Sequence, residues 1–137
     1  MDSRGAAAAA LYLLEGASGL PVFALGRAGL GVLVGPTAGY LFAFPAAAWI
    51  AGRASERAWG RSLPLTLAGM AAAVAVLHLG GWSWLAAVIG LGPAQAFATG
   101  VAPFLLGDLV KLALAATALP MAQRAAERRA GPPSAER

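Results

Sequence analysis

Cysteine is absent, histidine occurs once and charge is scarce; these shortages set the first limits on the chain. Without cysteine there are no disulfides and no thiolate metal sites, and the redox compartment leaves no mark. The lone histidine, His78, has no acid or cysteine beside it in sequence, so no metal-ligand spacing exists. No serine or threonine has a histidine base placed by sequence, so nucleophilic catalysis has no support. A Walker A motif is missing, and the G-x-G spacings follow no strand, so a nucleotide-binding fingerprint is rejected. No enzyme activity and no cofactor are expected. Only 12% of the 137 residues are charged, against about 25% in soluble domains, while 59% are hydrophobic. With a mean hydropathy of +0.70, the chain reads as an all-α integral membrane protein. The net charge of +4 matters less than its placement. The Lys and Arg residues cluster at 53–61 and 124–129, where apolar runs end. That is the pattern of cytoplasmic loops, not of a nucleic-acid surface. One basic residue, Arg4, and no small-residue cleavage site speak against a cleaved signal peptide.

Residues 1–130 form a single transmembrane domain with four spans, and 131–137 a disordered polar tail. The first apolar run, 6–20, is interrupted by Glu15, Gly16 and Gly19, and is short against the ~20 residues a span needs. Residues 24–35 hold Gly26, Gly29, Gly31 and Gly35 and carry Arg27; glycine at ~1 kcal/mol per helical position makes this a loop. Pro36 opens the second run, 36–52, and Pro45 predicts a kink in it. The third run, 63–79, is closed by Gly80-Gly81. Trp82 and Trp84 look like an interfacial aromatic belt, and His78 like a polar residue at the interface. Residues 82–100 carry two short apolar pieces broken by Gly90-Leu-Gly-Pro93. They read as an outer re-entrant or interfacial hairpin, tolerated where protein or a wet cavity covers it. The alternative, a further span, would leave one basic cluster outside. The fourth run is 103–121. Cytoplasmic basic clusters put both termini inside, with the Gly-rich loop and residues 80–100 outside.

Asp108 and Lys111 are the only charges between Arg61 and Arg124. Three residues apart on a helix, they share a face. Ionisable groups at membrane depth are expensive, and mark function unless they only pair with each other. Topology sets them about 8 Å and one further turn below the outer surface. Above them lie the Gly-rich loop, whose backbone can approach a ligand closely, Thr37, Tyr40 and Arg27. This lining suits a compact polar molecule with neutral donors and acceptors, and a carboxylate. Each feature has a plainer alternative: the pair locks helices, the loop is only a turn, Arg27 sits in water, and Tyr40 anchors the interface.

The series Tyr12-Leu-Leu-Glu-Gly16, Gly19-Leu-Pro-Val-Phe-Ala24, Gly35-Pro-Thr-Ala-Gly-Tyr40 and Pro103-Phe-Leu-Leu-Gly-Asp-Leu-Val-Lys111 resembles the BioY family. BioY proteins are the biotin-binding substrate (S) components of energy-coupling factor (ECF) transporters. The resemblance covers about residues 5–116. It implies a six-helix membrane protein that binds biotin near its outer face. Its partners would be a transmembrane coupling protein and a pair of ABC-type ATPases. The family's Asp-x-x-Lys falls on Asp108 and Lys111, and its Gly-Pro-Thr-x-Gly-Tyr on Gly35, Thr37 and Tyr40, which are thereby expected to contact biotin. Asp108 would accept from ureido N–H groups. Lys111 would donate to the ureido carbonyl or the carboxylate, and the residues do not decide between these.

The chain starts where the family's third helix starts, so the resemblance implies helices three to six, matching the four spans. That implies a truncated gene model or a fragment, with packing surfaces left open to homo-oligomerisation. Glu15 stands where an apolar residue is expected. It supports a rival reading, a small proton-coupled four-helix multidrug exporter that uses this acid; a nonfunctional inserted fragment is the third.

Overall fold

The computed structural model describes residues 3–58 and 62–130. The expected disordered tail, 131–137, lies outside the described residues, as does the last part of the basic connector. Among the described residues the chain is all-α. The helices are α1 (Ser3–Ala17), α2 (Ala38–Ala58), α3 (Leu63–Ala87), α4 (Pro93–Gly100) and α5 (Ala102–Ala130). Two of them, α3 and α5, are long and apolar enough to cross a membrane.

The organising contact is the seam between α2 and α3, and it is made of missing side chains. A Cβ on Gly39 would lie 2.4 Å from the Gly80 carbonyl oxygen, and one on Gly80 would lie 2.7 Å from Ala43 Cβ. Farther along, a Cβ on Gly69 would meet Ala54 Cβ at 2.0 Å. The two backbones therefore touch directly. Small residues a turn apart permit this approach, which in a lipid setting replaces the hydrophobic drive with close van der Waals packing and short interhelical contacts. Gly80-Gly81 accordingly does not break the third run. The helix runs through both glycines to Ala87, because removing Cβ atoms there gains more in packing than it loses in propensity.

Local signals set the ends of α3. The Ser62 hydroxyl accepts the Leu65 amide at 3.4 Å, and Pro64 occupies the first turn, where its missing N–H is no loss. At the far end the Val88 amide still reaches the Trp84 carbonyl at 2.8 Å. Gly90 then takes φ 81° and turns the chain out. Gly92 and Pro93 start α4, which at eight residues is about 12 Å long, well short of the ~30 Å hydrocarbon core. Trp82 and Trp84 therefore belong to the end of α3. The chain from 88 to 100 folds back as a turn and a short helix. In α2, Pro45 sits inside a continuous helix that runs from Ala38 to Ala58, at the cost of the one backbone bond its nitrogen cannot donate, to the Leu41 carbonyl.

The Gly-rich segment is ordered by two anchors. It folds as two short 3₁₀ turns, Ala24–Gly26 and Leu30–Val34. The buried Phe23 ring lies over Gly16, where a Cβ would fall 2.1 Å from the ring, and meets Tyr12 edge-on at 5.4 Å. The Gly29 amide donates to the Gly16 carbonyl at 2.7 Å. α1 runs beside α2, with Tyr12 6.1 Å from the Phe44 ring. Close backbone approaches to α5 come from α3 and α4.

Burial is inverted relative to a soluble domain. The interior is mostly alanine and glycine, including Ala38, Ala47, Ala73 and Ala96, with Leu41 and Leu85. Leu11, Leu14, Phe42, Trp49, Leu106, Leu109 and Leu114 point outward. Apolar exposure on this scale calls for lipid or protein around the helices.

Candidate functional site

One end of the bundle gathers the Gly-rich segment, the C-terminal end of α3, α4 and the start of α5. The gathering is held by polar groups that reach between elements. Trp84 on α3 donates its indole N–H to the Gly35 carbonyl at 2.9 Å. Trp82 donates to the Pro93 carbonyl at 2.9 Å. The Tyr40 hydroxyl, from the start of α2, donates to the Gly100 carbonyl at the end of α4. Its ring fills a slot left by Gly81, where a Cβ would lie 2.0 Å from Tyr40 Cζ. An indole or phenol at a wet interface would spend its polar hydrogen on water; here all three hydrogens tie elements together.

Asp108 lies six residues into α5, about 9 Å from its start. Its Oδ2 lies 2.5 Å from His78 Nε2 on α3, and both side chains are only 15% exposed. The other oxygen, Oδ1, lies 3.7 Å from Lys111 Nζ, one turn farther along. That separation is within ion-pair reach but too long for a hydrogen bond. Lys111 is 78% exposed. Phe104 lies beside the imidazole, with ring centroids 6.4 Å apart.

His78 is thus no interfacial bystander. The reason is energetic: a carboxylate at membrane depth costs about 2.5–3.5 kcal/mol on insertion scales unless it finds a partner. A hydrogen bond to a charged group recovers about 1.5–3 kcal/mol. His78 Nδ1 is buried without a hydrogen-bond partner. A hydrogen there would be an unmet buried donor at a cost of about 1–3 kcal/mol. The hydrogen therefore sits on Nε2 and donates to Asp108. A signal for this pairing existed in the sequence. His78 is the third ionisable side chain between Arg61 and Arg124, and the rule applied to Asp108 applies equally to it.

The other expected residues divide. Gly35 is engaged on both sides, its carbonyl by Trp84 and its amide by the Val32 carbonyl at 3.3 Å. Tyr40 is committed to Gly100, so the structure gives it a bracing role between α2 and α4. Thr37 is exposed, and its carbonyl starts α2 by accepting the Leu41 amide at 3.2 Å. Arg27 is exposed, with its backbone paired to Phe23. Asp108, Lys111 and His78 form one cluster; Gly35 and Tyr40 belong to the neighbouring scaffold. Glu15, in the last turn of α1, is partly exposed, with its carbonyl taken by the Ser18 hydroxyl at 2.7 Å. Two cavities, of about 280 and 430 Å³, lie at the opposite, basic end, lined by residues such as Arg53 and Leu65, and Ala51 and Ala118. Neither is lined by the expected residues.

The BioY family model matches residues 2–128. The chain belongs to the BioY family. Among curated relatives, a probable biotin transporter BioY of Pyrococcus horikoshii is 41% identical over 114 residues, covering 83% of this chain and 63% of that protein. A biotin transporter BioY of Rhizobium etli is 38% identical over 120 residues, covering 82% and 64%. One from Thermotoga maritima is 39% identical over 112 residues, covering 82% and 64%. The chain thus spans a little under two thirds of the length of these BioY relatives. No solved structure matches it.

Proposed function

We propose that this chain captures biotin at the outer face of the cytoplasmic membrane, as the substrate component of an ECF-type importer. The observation that carries the reading is the Asp108 carboxylate: nearly buried, on a membrane-grade helix, with one oxygen held by His78 and the other turned toward a loosely held lysine. Biotin presents N–H donors and a carbonyl on its ureido ring and a carboxylate on its tail. Asp108 accepts from the ring, and Lys111 donates to a carbonyl or carboxylate. Thr37 and Arg27 meet the ligand from the loop, while Gly35 and Tyr40 shape the wall behind them. Four spans carry this site, with the turn and short helix α4 as an outer re-entrant or interfacial element and both termini cytoplasmic. The chain itself catalyses nothing. A transmembrane coupling protein and a pair of ABC-type ATPases drive release, and self-association covers the apolar flanks.

The test is binding of tritiated biotin to the chain in nanodiscs. Asp108→Asn keeps the shape and removes the charge, and Lys111→Ala removes the cation. Loss of a charge-assisted hydrogen bond worth about 1.5–3 kcal/mol lowers affinity by about 10- to 150-fold. Wild-type affinity in both folded variants refutes the site.

A further inference from the structure

We infer that His78 is the positioning residue for Asp108, holding one carboxylate oxygen so that the other faces the ligand; this rests on the biotin reading above. Asp108 has two neighbours able to orient it, and they differ in grip. Lys111 stands 3.7 Å away on the same helix and is mostly exposed, so it follows the carboxylate rather than directing it. His78 comes from another helix, 30 residues earlier in the chain, and holds Oδ2 at 2.5 Å in a part-buried contact. The imidazole is itself constrained. Phe104 lies beside its ring, and its buried Nδ1 leaves Nε2 as the donor. The two oxygens are equivalent, so a flip of the carboxylate restores the same arrangement, one oxygen on Nε2 and the other turned to the Lys111 side. Oδ2 is capped, and Oδ1 is offered on the side where Lys111 lies. A ligand with one N–H next to a carbonyl fits this split. The N–H meets Oδ1 while the carbonyl or a nearby carboxylate meets the ammonium. Biotin recognition then depends on a residue that touches the acid and not the vitamin. The same bond ties α3 to α5, so ligand affinity and the spacing of these helices are linked.

The experiment compares the full chain in nanodiscs with His78→Gln, His78→Asn and His78→Phe. A glutamine amide nitrogen sits about where Nε2 does, and the asparagine nitrogen falls short. Thermal unfolding verifies that each variant is folded. His78→Gln keeps biotin affinity within about threefold, while His78→Asn and His78→Phe each lose about tenfold or more, as expected for one bond to a charged group. Wild-type affinity in folded His78→Phe overturns the inference, as does an equal loss in the glutamine and asparagine variants. Nitrogen-15 spectra of the single imidazole give a ligand-free arm. A hydrogen on Nε2 whose signal moves in Asp108→Asn supports the pair, and a neutral imidazole with its hydrogen on Nδ1 alone overturns it. If the wild-type chain does not bind biotin, the functional reading falls, and the imidazole spectrum alone decides whether His78 holds Asp108.

Discussion

Adding one methyl group at Gly81 should destabilise the bundle, although glycine-to-alanine changes inside helices ordinarily help. The new Cβ would sit 2.0 Å from Tyr40 Cζ and 2.2 and 2.3 Å from the flanking ring carbons, in effect inside the ring. Tyr40 has little room to retreat, because its hydroxyl is bonded to the Gly100 carbonyl and a Cβ on Gly100 would itself lie 2.6 Å from that hydroxyl. Making room means shifting the ring and giving up the bond. Overpacking of this kind costs about 1–3 kcal/mol, and the lost hydrogen bond about 0.5–1.5 kcal/mol. Helix propensity returns about 1 kcal/mol. The balance is a loss of about 0.5–3.5 kcal/mol for Gly81→Ala. In a Tyr40→Ala background the obstacle is gone, and the same change should stabilise by about 0.5–1 kcal/mol. The assay is reversible unfolding in mixed micelles by far-UV circular dichroism, run as a double-mutant cycle. A neutral or stabilising Gly81→Ala in the wild-type background refutes the packing argument. So does an equal cost in both backgrounds.

Leu25 is 94% exposed and holds φ 60°, where a side chain other than glycine costs about 1–2 kcal/mol. Leu25→Gly should therefore stabilise by about 0.5–1 kcal/mol after the extra chain entropy is counted, read as a rise in Tm. Trp84→Phe removes the donor to Gly35 and should cost about 1 kcal/mol. It should also speed hydrogen exchange in the Gly-rich segment while the middle of α3 stays protected. Lys111→Met should leave stability within about 0.5 kcal/mol of wild type, because the side chain is exposed and its ion pair long. Any loss of biotin binding in that variant would then report on the ligand and not on the fold.

How far the sequence carried the fold depends on which interactions were local. α5 and its acid–lysine pair were visible because helical spacing alone puts Asp108 and Lys111 on one face. The start of α3 was legible at Ser62 and Pro64 for the same reason. Glycine misled where its purpose was non-local. Gly80-Gly81 reads as a break until Gly39, Ala43 and Tyr40 are known to press against it from α2. The residues that brace the site were invisible in a subtler way. Tyr40 and both tryptophans look like interface anchors by type, and only tertiary structure shows their hydrogens bonded to carbonyls 11 to 60 residues away. His78 was the one miss that composition could have prevented, since a lone imidazole between two apolar turns needs a partner as much as Asp108 does.

The α2–α3 seam has a mechanical consequence. Where backbone meets backbone there are no side-chain torsions to yield, so the two helices should move as one stiff plate. α5 is different. Its near end meets α3 and α4, while Ala115, Ala118 and Ala122 face the plate across a cavity of about 430 Å³. That makes it a compliant arm. The His78–Asp108 bond sits where plate and arm join. From Asp108 to Ala130 the arm extends about 33 Å, so a tilt of about 5° at that joint moves its far end by about 3 Å. A change small enough to pass unnoticed around the carboxylate would be amplified at the opposite surface of the protein.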